Sequence, residues 1–430
     1  MSSESTKRSQ SHVVSGSLNF KELGLSRHLC GVLAARGYDK PTDIQKQALP
    51  EIIAGKDVLG IAQTGTGKTG AFCLPVLERL FQDERRAERN RPQVLVVAPT
   101  RELVSQIVDE AKAFVGGRKI RCFGLTGGVS QRPQEAKLNR GIEILVATPG
   151  RLLDLAGQGF VELGSVSCFV LDEADQLLDM GFIRDINRIL KLLPRQRQSL
   201  LFSATMPKAV ETLAHRILQN PVRIEVTPRK ITVESIRQGY VQVESKLKQQ
   251  ALQVLLAQQE VRKAIVFART KHGANRVAEK LDKQGVCVEV IHGNKSQNAR
   301  NRALNSFKSG DAWVLVATDV AARGIDIRDV THVINFDLPQ EPEVYVHRIG
   351  RTARAGAEGV AWSLVDREER SLLKKIERLT KISISKVLLE AAETGDDDVS
   401  ATPDDEADRP KRRRRRRRRR KIAKTPREAA

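Results

Sequence analysis

Short, continuous apolar runs recur along this chain, with helical stretches between them. In the first half they are Asp57–Ile61, Gln93–Ala98, Glu143–Ala147, Ser167–Leu171 and Ser199–Phe202. In the second half they are Lys263–Ala268, Val286–Ile291, Ala312–Ala317, Val330–Phe336 and Gly359–Val365. Neighbouring side chains of a strand point to opposite sides of a sheet, so a strand apolar at every residue is buried on both faces. That demands a parallel sheet covered by helices on each side. Two successive sets in 430 residues predict two tandem α/β domains, each large enough to bury its own core.

The reactive residue types stand where these runs stop. Ala62-Gln63-Thr64-Gly65-Thr66-Gly67-Lys68-Thr69 follows the first run and opens a helix. Strand, Gly-rich loop, Lys-Thr and helix is the context of a phosphate loop, whose amides and helix N-terminus face an anion. Lys68 would reach the outer phosphates and the Thr69 hydroxyl would sit on Mg²⁺. The strict pattern opens with Gly where this chain has Ala62, and a Gly-rich turn between strand and helix is the plainer alternative. Pro99-Thr100-Arg101-Glu102, Thr148-Pro149-Gly150-Arg151, Asp172-Glu173-Ala174-Asp175 and Ser203-Ala204-Thr205 follow the other runs of this half. Ligands of open α/β sheets bind outside the carboxyl ends of the strands, so all these segments should converge on one edge. Asp172 could hold Mg²⁺ through water and Glu173 could polarise the water that attacks a γ-phosphate. Surface acids opening a helix are the alternative there.

Upstream, Phe20 opens a helical segment that ends at Gly37-Tyr38, and Pro41-Thr42 starts another helix carrying Gln45. An amide can pair bidentately with adenine, although Gln45 also suits an ordinary helix surface. The second half has no phosphate loop of its own. It carries Asp319, Arg323-Gly324-Ile325-Asp326 and His347 to Arg354, with arginines at 348, 351 and 354. Arginines supplied from a separate domain suit an arginine-finger role, and an Arg-rich surface helix is the alternative. Leu372, Leu373, Ile376, Leu379 and Ile382 predict a terminal amphipathic helix over 371–390.

The formal charge is +21. Residues 409–430 carry 14 Lys/Arg against one Glu, and residues 393–408 carry eight Asp/Glu and no Lys/Arg. The remainder is itself net positive, which points to a polyanionic partner, with nucleic acid the leading candidate. Arg412 to Arg420 are consecutive arginines. Such a run is expected to be disordered and to contact RNA phosphates without sequence preference, with nuclear import as the rival reading. Five scattered cysteines without a CxxC pair fit a reducing compartment and argue against a disulfide framework or zinc site. Residues 1–17 are polar and lack an apolar signal region, and no apolar run reaches about 18 residues, so no membrane contact is expected. The expected divisions are a disordered lead-in at 1–17, a first domain at 18–227, a second at 228–390, and a disordered acidic spacer and basic tail at 391–430.

Together these segments resemble the DEAD-box RNA helicases of superfamily two, over roughly residues 18–380. Phe20 and Gly37 to Gln45, Tyr38 included, resemble the family's adenine-recognising motif. Ala62–Thr69 resembles its phosphate loop, which normally has Ala at that place. Pro99–Leu103, Thr126-Gly127-Gly128 and Thr148–Arg151 resemble its RNA-backbone motifs, and Asp172–Asp175 spells the family name. Ser203-Ala204-Thr205 resembles the motif coupling hydrolysis to strand separation. Phe267, Gln297 with Arg300, Ala317–Asp326 and His347–Arg354 resemble the second-domain motifs, with Ala353 where Gly is commoner; the added methyl is expected to be tolerated. Residues 267–274 and 291–297 are most similar to the bacterial RhlE group.

The resemblance implies two tandem RecA-like domains and a cytoplasmic ATP-dependent RNA helicase that needs ATP and Mg²⁺. It implies ATP contacts from Phe20, Tyr38, Gln45, residues 62–69, Gly324 and Asp326, with Thr69 and Asp172 on the metal. It implies catalysis by Lys68, Asp172, Glu173, Ser203, Thr205, Arg351 and Arg354. RNA would be held by Arg101, Gly128, Thr148, Gly150, Arg151, Arg300 and Thr318. Ribosome assembly or RNA decay is the expected setting, with proteins of those pathways as possible partners. Nothing in the sequence demands more than a monomer.

Overall fold

A computed structural model describes residues 18–63, 65–83, 86–226, 236–322, 327, 329–353 and 358–388. These all fall in one compact unit ending at Leu389. The lead-in, the tail and the expected boundary at 227/228 lie outside the described residues.

The first half builds a sheet from β1 (Val58–Ile61), β2 (Val94–Val97), β3 (Cys122–Leu125), β4 (Ile144–Ala147), β5 (Cys168–Leu171), β6 (Gln198–Ser203) and β7 (Val222–Glu225). Its order is β3-β4-β2-β5-β6-β1-β7, and every pairing is parallel. The second half builds another from β8 (Ile236–Gln242), β9 (Ala264–Phe267), β10 (Val288–Ile291), β11 (Val314–Ala317), β12 (His332–Asn335), β13 (Gly359–Val365) and β14 (Ser385–Lys386). Its order is β10-β11-β9-β12-β13-β8-β14, again parallel throughout. These are the two RecA-like sheets that the sequence implies.

The continuous apolar runs have the physical reason expected of them. Val58, Val94, Val96 and Val170 pack into the core on one face of the first sheet, while Leu59, Leu95, Val97, Phe169 and Leu171 pack into the core on the other. Successive residues therefore feed opposite layers. The parallel arrangement puts every strand's carboxyl end on one edge. Ile61 pairs with Ser203 and Leu171 with Leu201, so the loop after β1 lies beside the ends of β6 and β5.

Two details differ from expectation. The predicted helix over 371–390 stops at Thr380, where Lys381 takes φ 56°, and Ile384 is buried just before the edge strand β14. Ala353 has φ 54°, a left-handed conformation that L side chains rarely adopt. The family's Gly at this place answers a backbone requirement, so the added methyl here is strained by φ.

Candidate active site

The segments after β1, β2 and β5 meet in a cleft of about 590 Å³. Tyr38, Thr42, Gln45, Gly65, Gly67, Lys68, Thr69, Asp172 and Glu173 line it. Gly67 caps the helix Lys68–Gln82 at φ 91°, and a Cβ there would stand 2.8 Å from the Gln45 Nε2. Only glycine fits both the left-handed turn and that approach. The Gln45 Nε2 donates to the Gly67 carbonyl at 3.1 Å, and its Oε1 accepts from the Thr42 amide at 3.0 Å. Gln45 thus ties its helix, Asp43–Ile53, to the phosphate loop. Each end of the amide retains capacity for one more hydrogen bond, which a purine edge could use. Phe20 is 5 % exposed and does not itself line the cleft; it sits in the core cluster against which Tyr38 packs. Ala62 continues the sheet by donating to the Ser203 carbonyl, and the Thr66 hydroxyl donates to the Gln63 carbonyl at 2.7 Å.

The Lys68 ammonium and the Glu173 Oε2 are both buried without a hydrogen-bond partner. A buried orphan cation beside an orphan carboxylate oxygen is costly unless a ligand completes both. Glu173 itself sits at φ 52°, a strained conformation for a non-glycine residue. Burial pushes its carboxyl up from 4.5 to about 7; Asp172 adds to the rise, while Lys68 and Arg351 oppose it. Burial also raises Asp172, against the Lys68 charge. This acidic pair under one ammonium suits an added cation. Among the described residues no group of three His, Cys, Asp or Glu side chains forms a metal cage. A cation here would lean on Asp172, Thr69, water and phosphate oxygens, as hard Mg²⁺ does.

Asp175 does work that the sequence did not reveal. It accepts from both the Thr205 amide and the Thr205 hydroxyl at 2.9 Å. Its own amide donates to the Ser203 Oγ at 3.3 Å, and that hydroxyl donates to the Thr205 carbonyl at 2.7 Å. Asp175 therefore locks the end of β6 to the acidic turn after β5.

From the second half, the helix Pro342–Ile349 presents its arginines unequally. Arg348 is fully buried and forks onto Asp319, Nε to Oδ1 at 2.5 Å and Nη2 to Oδ2 at 2.7 Å. It also donates to the Asn335 Oδ1 and the Asp337 carbonyl, so it is a structural anchor. Arg351 is nearly buried and close enough to Glu173 for its charge to lower that carboxyl. Thr64, Gly324, Asp326 and Arg354 lie outside the described residues.

A second cluster gathers the backbone-motif residues. Gly128 has φ 72°, and a Cβ there would fall 1.9 Å from the Arg101 Nη1. Arg101 donates to the Gln297 Oε1 at 3.4 Å. Gln297 in turn donates to the Glu102 Oε1 at 2.8 Å, and Arg300 pairs with that oxygen at 3.1 Å. Burial lowers the Arg101 pKa, and the charges of Arg300 and Arg151 act in the same direction, against Glu102. Arg151 donates to the Gln131 Oε1 and to Asp154. Thr148 and Gly150 stand at the start of the same helix, Pro149–Gly157, while Thr318 follows β11 with its amide on the Ile291 carbonyl. Glu102, to which the sequence assigns no role, joins the two halves through Gln297 and Arg300.

Residues 42–213 match the DEAD/DEAH box helicase family, and residues 247–356 match the helicase conserved C-terminal domain. Over 362 residues the chain is 45% identical to the DEAD-box ATP-dependent RNA helicase CshA of Geobacillus kaustophilus, covering 84% of this chain and 76% of that protein. The CshA of Bacillus subtilis is 43% identical over 364 residues, 85% of this chain and 73% of its own length. Among solved structures, S. cerevisiae Dbp5 bound to RNA and ADP BeF3 is 34% identical with a TM-score of 0.76, covering 86% of this chain and 95% of that one. Mss116p bound to ssRNA and AMP-PNP is 29% identical with a TM-score of 0.78, covering 86% and 80%.

Proposed function

This chain belongs to the DEAD-box ATP-dependent RNA helicases, and from that premise we propose that RNA-stimulated ATP hydrolysis drives local, non-processive unwinding of short RNA duplexes. The observation that carries the reading is the buried Lys68 ammonium near the buried Glu173 Oε2 at the carboxyl edge of a parallel sheet, neither with a hydrogen-bond partner. ATP supplies what each lacks: phosphate oxygens for Lys68 and an attacking water for Glu173.

In this mechanism the adenine rests on Gln45, with Phe20 and Tyr38 supporting that end. The phosphates lie along Gly65, Gly67, Lys68 and Thr69. Mg²⁺, held by Thr69 and through water by Asp172, would neutralise phosphate charge. Glu173 orients the water. Arg351, with Arg354, reaches the γ-phosphate from the second half, and Gly324 and Asp326 contact the nucleotide. Asp175, Ser203 and Thr205 tie the hydrolytic turn to the sheet edge, so a change at one is felt by the other. Arg101, Gly128, Thr148, Gly150, Arg151, Arg300 and Thr318 hold RNA phosphate and ribose, which positions a strand without reading its bases. The basic tail adds salt-dependent affinity. Remodelling of RNA–protein complexes in cytoplasmic ribosome assembly or RNA decay is the setting this reading proposes, with the protein acting as a monomer. Among the described residues no helix is long and apolar enough to cross a membrane.

Strand displacement tests it. The protein should separate a short RNA duplex with ATP, lose yield steeply as the duplex lengthens, and do neither with Lys68→Ala. Tight ATP-dependent RNA binding without displacement would make it a clamp instead.

A further inference from the structure

Two helices, one from each half, border the cleft. One is Arg101–Val115 of the first half and the other is Gln297–Ser309 of the second. Glu102, Gln106, Asp109 and Glu110 lie at helical spacing on one face of the first. Gln297, Arg300, Leu304 and Lys308 do so on the second. The helices touch at one end, where Arg300 meets Glu102 at 3.1 Å. Eight residues further along each, a rise of about 12 Å, come Glu110 and Lys308. There both helices border the nucleotide cleft. Arg36, Gln106, Asp109 and Glu110 line it from the first half, and Lys263, Lys308, Ile327 and Asp329 from the second. The two walls carry opposite charge: Asp109 and Glu110 stand on the first half and Lys263 and Lys308 on the second, with Arg36 and Asp329 in the reverse sense. Lys263 is held in place, its ammonium donating to the Lys308 carbonyl at 3.4 Å and lying 5.1 Å from the Phe307 ring centroid.

We propose that Lys308 and Lys263, opposite Asp109 and Glu110, form a clasp that closes the outer, nucleoside end of the cleft over bound ATP. The proposal rests on the cleft being the ATP site. These are positioning residues: they touch no reacting phosphate and act by holding the two walls together. Glu102 with Arg300 fixes the near end of the paired helices, and the clasp completes the far end once a nucleotide fills the space between. Exposed pairs of this kind change an equilibrium about 2- to 5-fold, and reversing one charge turns attraction into repulsion, so about 2- to 10-fold is expected.

The test uses the full chain with saturating RNA. Lys308→Glu and Asp109→Lys should each raise the ATP KM by about 2- to 10-fold while kcat stays within about twofold. The double reversal, K308E with D109K, should return KM close to the starting value. Lys308→Arg should be silent. Salt on the order of 0.5 M should erase the differences, because the residues are exposed and screened. Unaltered thermal unfolding would show that the variants fold. A native KM in both single reversals, additive losses in the double variant, or a fall in kcat with KM unchanged would each overturn the clasp. The two readings fail differently. If the unaltered protein hydrolyses no ATP, the assignment of the cleft is wrong; if it does and the reversals are silent, only the clasp is.

Discussion

Gly128→Ala separates what a glycine does for the backbone from what it does for its neighbour. At φ 72° an alanine is in the left-handed region. That costs about 1–2 kcal/mol, partly offset because glycine loses more freedom on folding, about 0.5–1 kcal/mol. The net destabilisation is about 1 kcal/mol, or a fall in Tm of about 2–4 °C. The larger effect is on Arg101. The new methyl would stand 1.9, 2.6 and 2.8 Å from the Nη1, Cζ and Nη2 of its guanidinium. A guanidinium at the end of a flexible side chain moves readily, so the clash adds little strain but relocates the charge. If Arg101 holds an RNA phosphate, the lost charge-assisted hydrogen bond is worth about 1.5–3 kcal/mol, one to two orders of magnitude in Kd. Fluorescence anisotropy with single-stranded RNA and a non-hydrolysable ATP analogue reads this directly. Arg101→Ala should weaken binding comparably, and the double variant should be no worse than Arg101→Ala alone. Native RNA affinity in G128A, with only the small fall in Tm, would refute the role given to Arg101.

Glu173→Gln should keep ATP binding and abolish turnover in a steady-state assay. In the native protein kcat/KM for ATP should fall as pH drops through about 7, where the Glu173 carboxyl takes up its proton. The same raised value makes this group's contribution to nucleotide-free stability full below 4.5 and lost as pH rises through about 7, which thermal unfolding against pH would register. Ala353→Gly should relieve the strain at φ 54° and stabilise the fold by about 0.5–1 kcal/mol, read as a raised Tm. Removing residues 409–430, with their 14 Lys/Arg, should lower RNA affinity and flatten its salt slope while RNA-saturated turnover holds.

The sequence made the central strands legible because burial on both faces keeps them mostly apolar, with exceptions such as Asn335 and Ser363 hydrogen-bonded to each other inside the sheet. It was silent on β7, β8 and β14 for the opposite reason, and on β3 because that short edge strand is interrupted by Gly124. Val222-Arg223-Ile224-Glu225 alternates at a sheet edge, Ile236–Gln242 carries Arg237 and Gln238, and Ser385–Lys386 is exposed. The site residues that follow strands were readable from parallel topology alone, since that topology brings strand ends together. Residues whose meaning depends on a distant partner were not. Nothing near Asp175 announces Thr205, thirty residues on. Nothing near Glu102 announces Gln297 and Arg300, which a second domain brings to it. Arg348 looked like a third finger by its spacing from Arg351, and only the fold shows it spent on Asp319. The finer likeness to the RhlE group rests on the two short stretches that carry it.

On the mechanism proposed above, the two-domain core, not the arginine-rich tail, makes ATP hydrolysis depend on RNA. Steady-state ATPase tests it most directly, without nucleic acid, with single-stranded RNA and with DNA of the same sequence, on the full chain and on one ending at Leu389. Strong stimulation by RNA alone, retained after truncation, is the expected result. Equal stimulation by DNA, or stimulation that disappears with the tail, would contradict it.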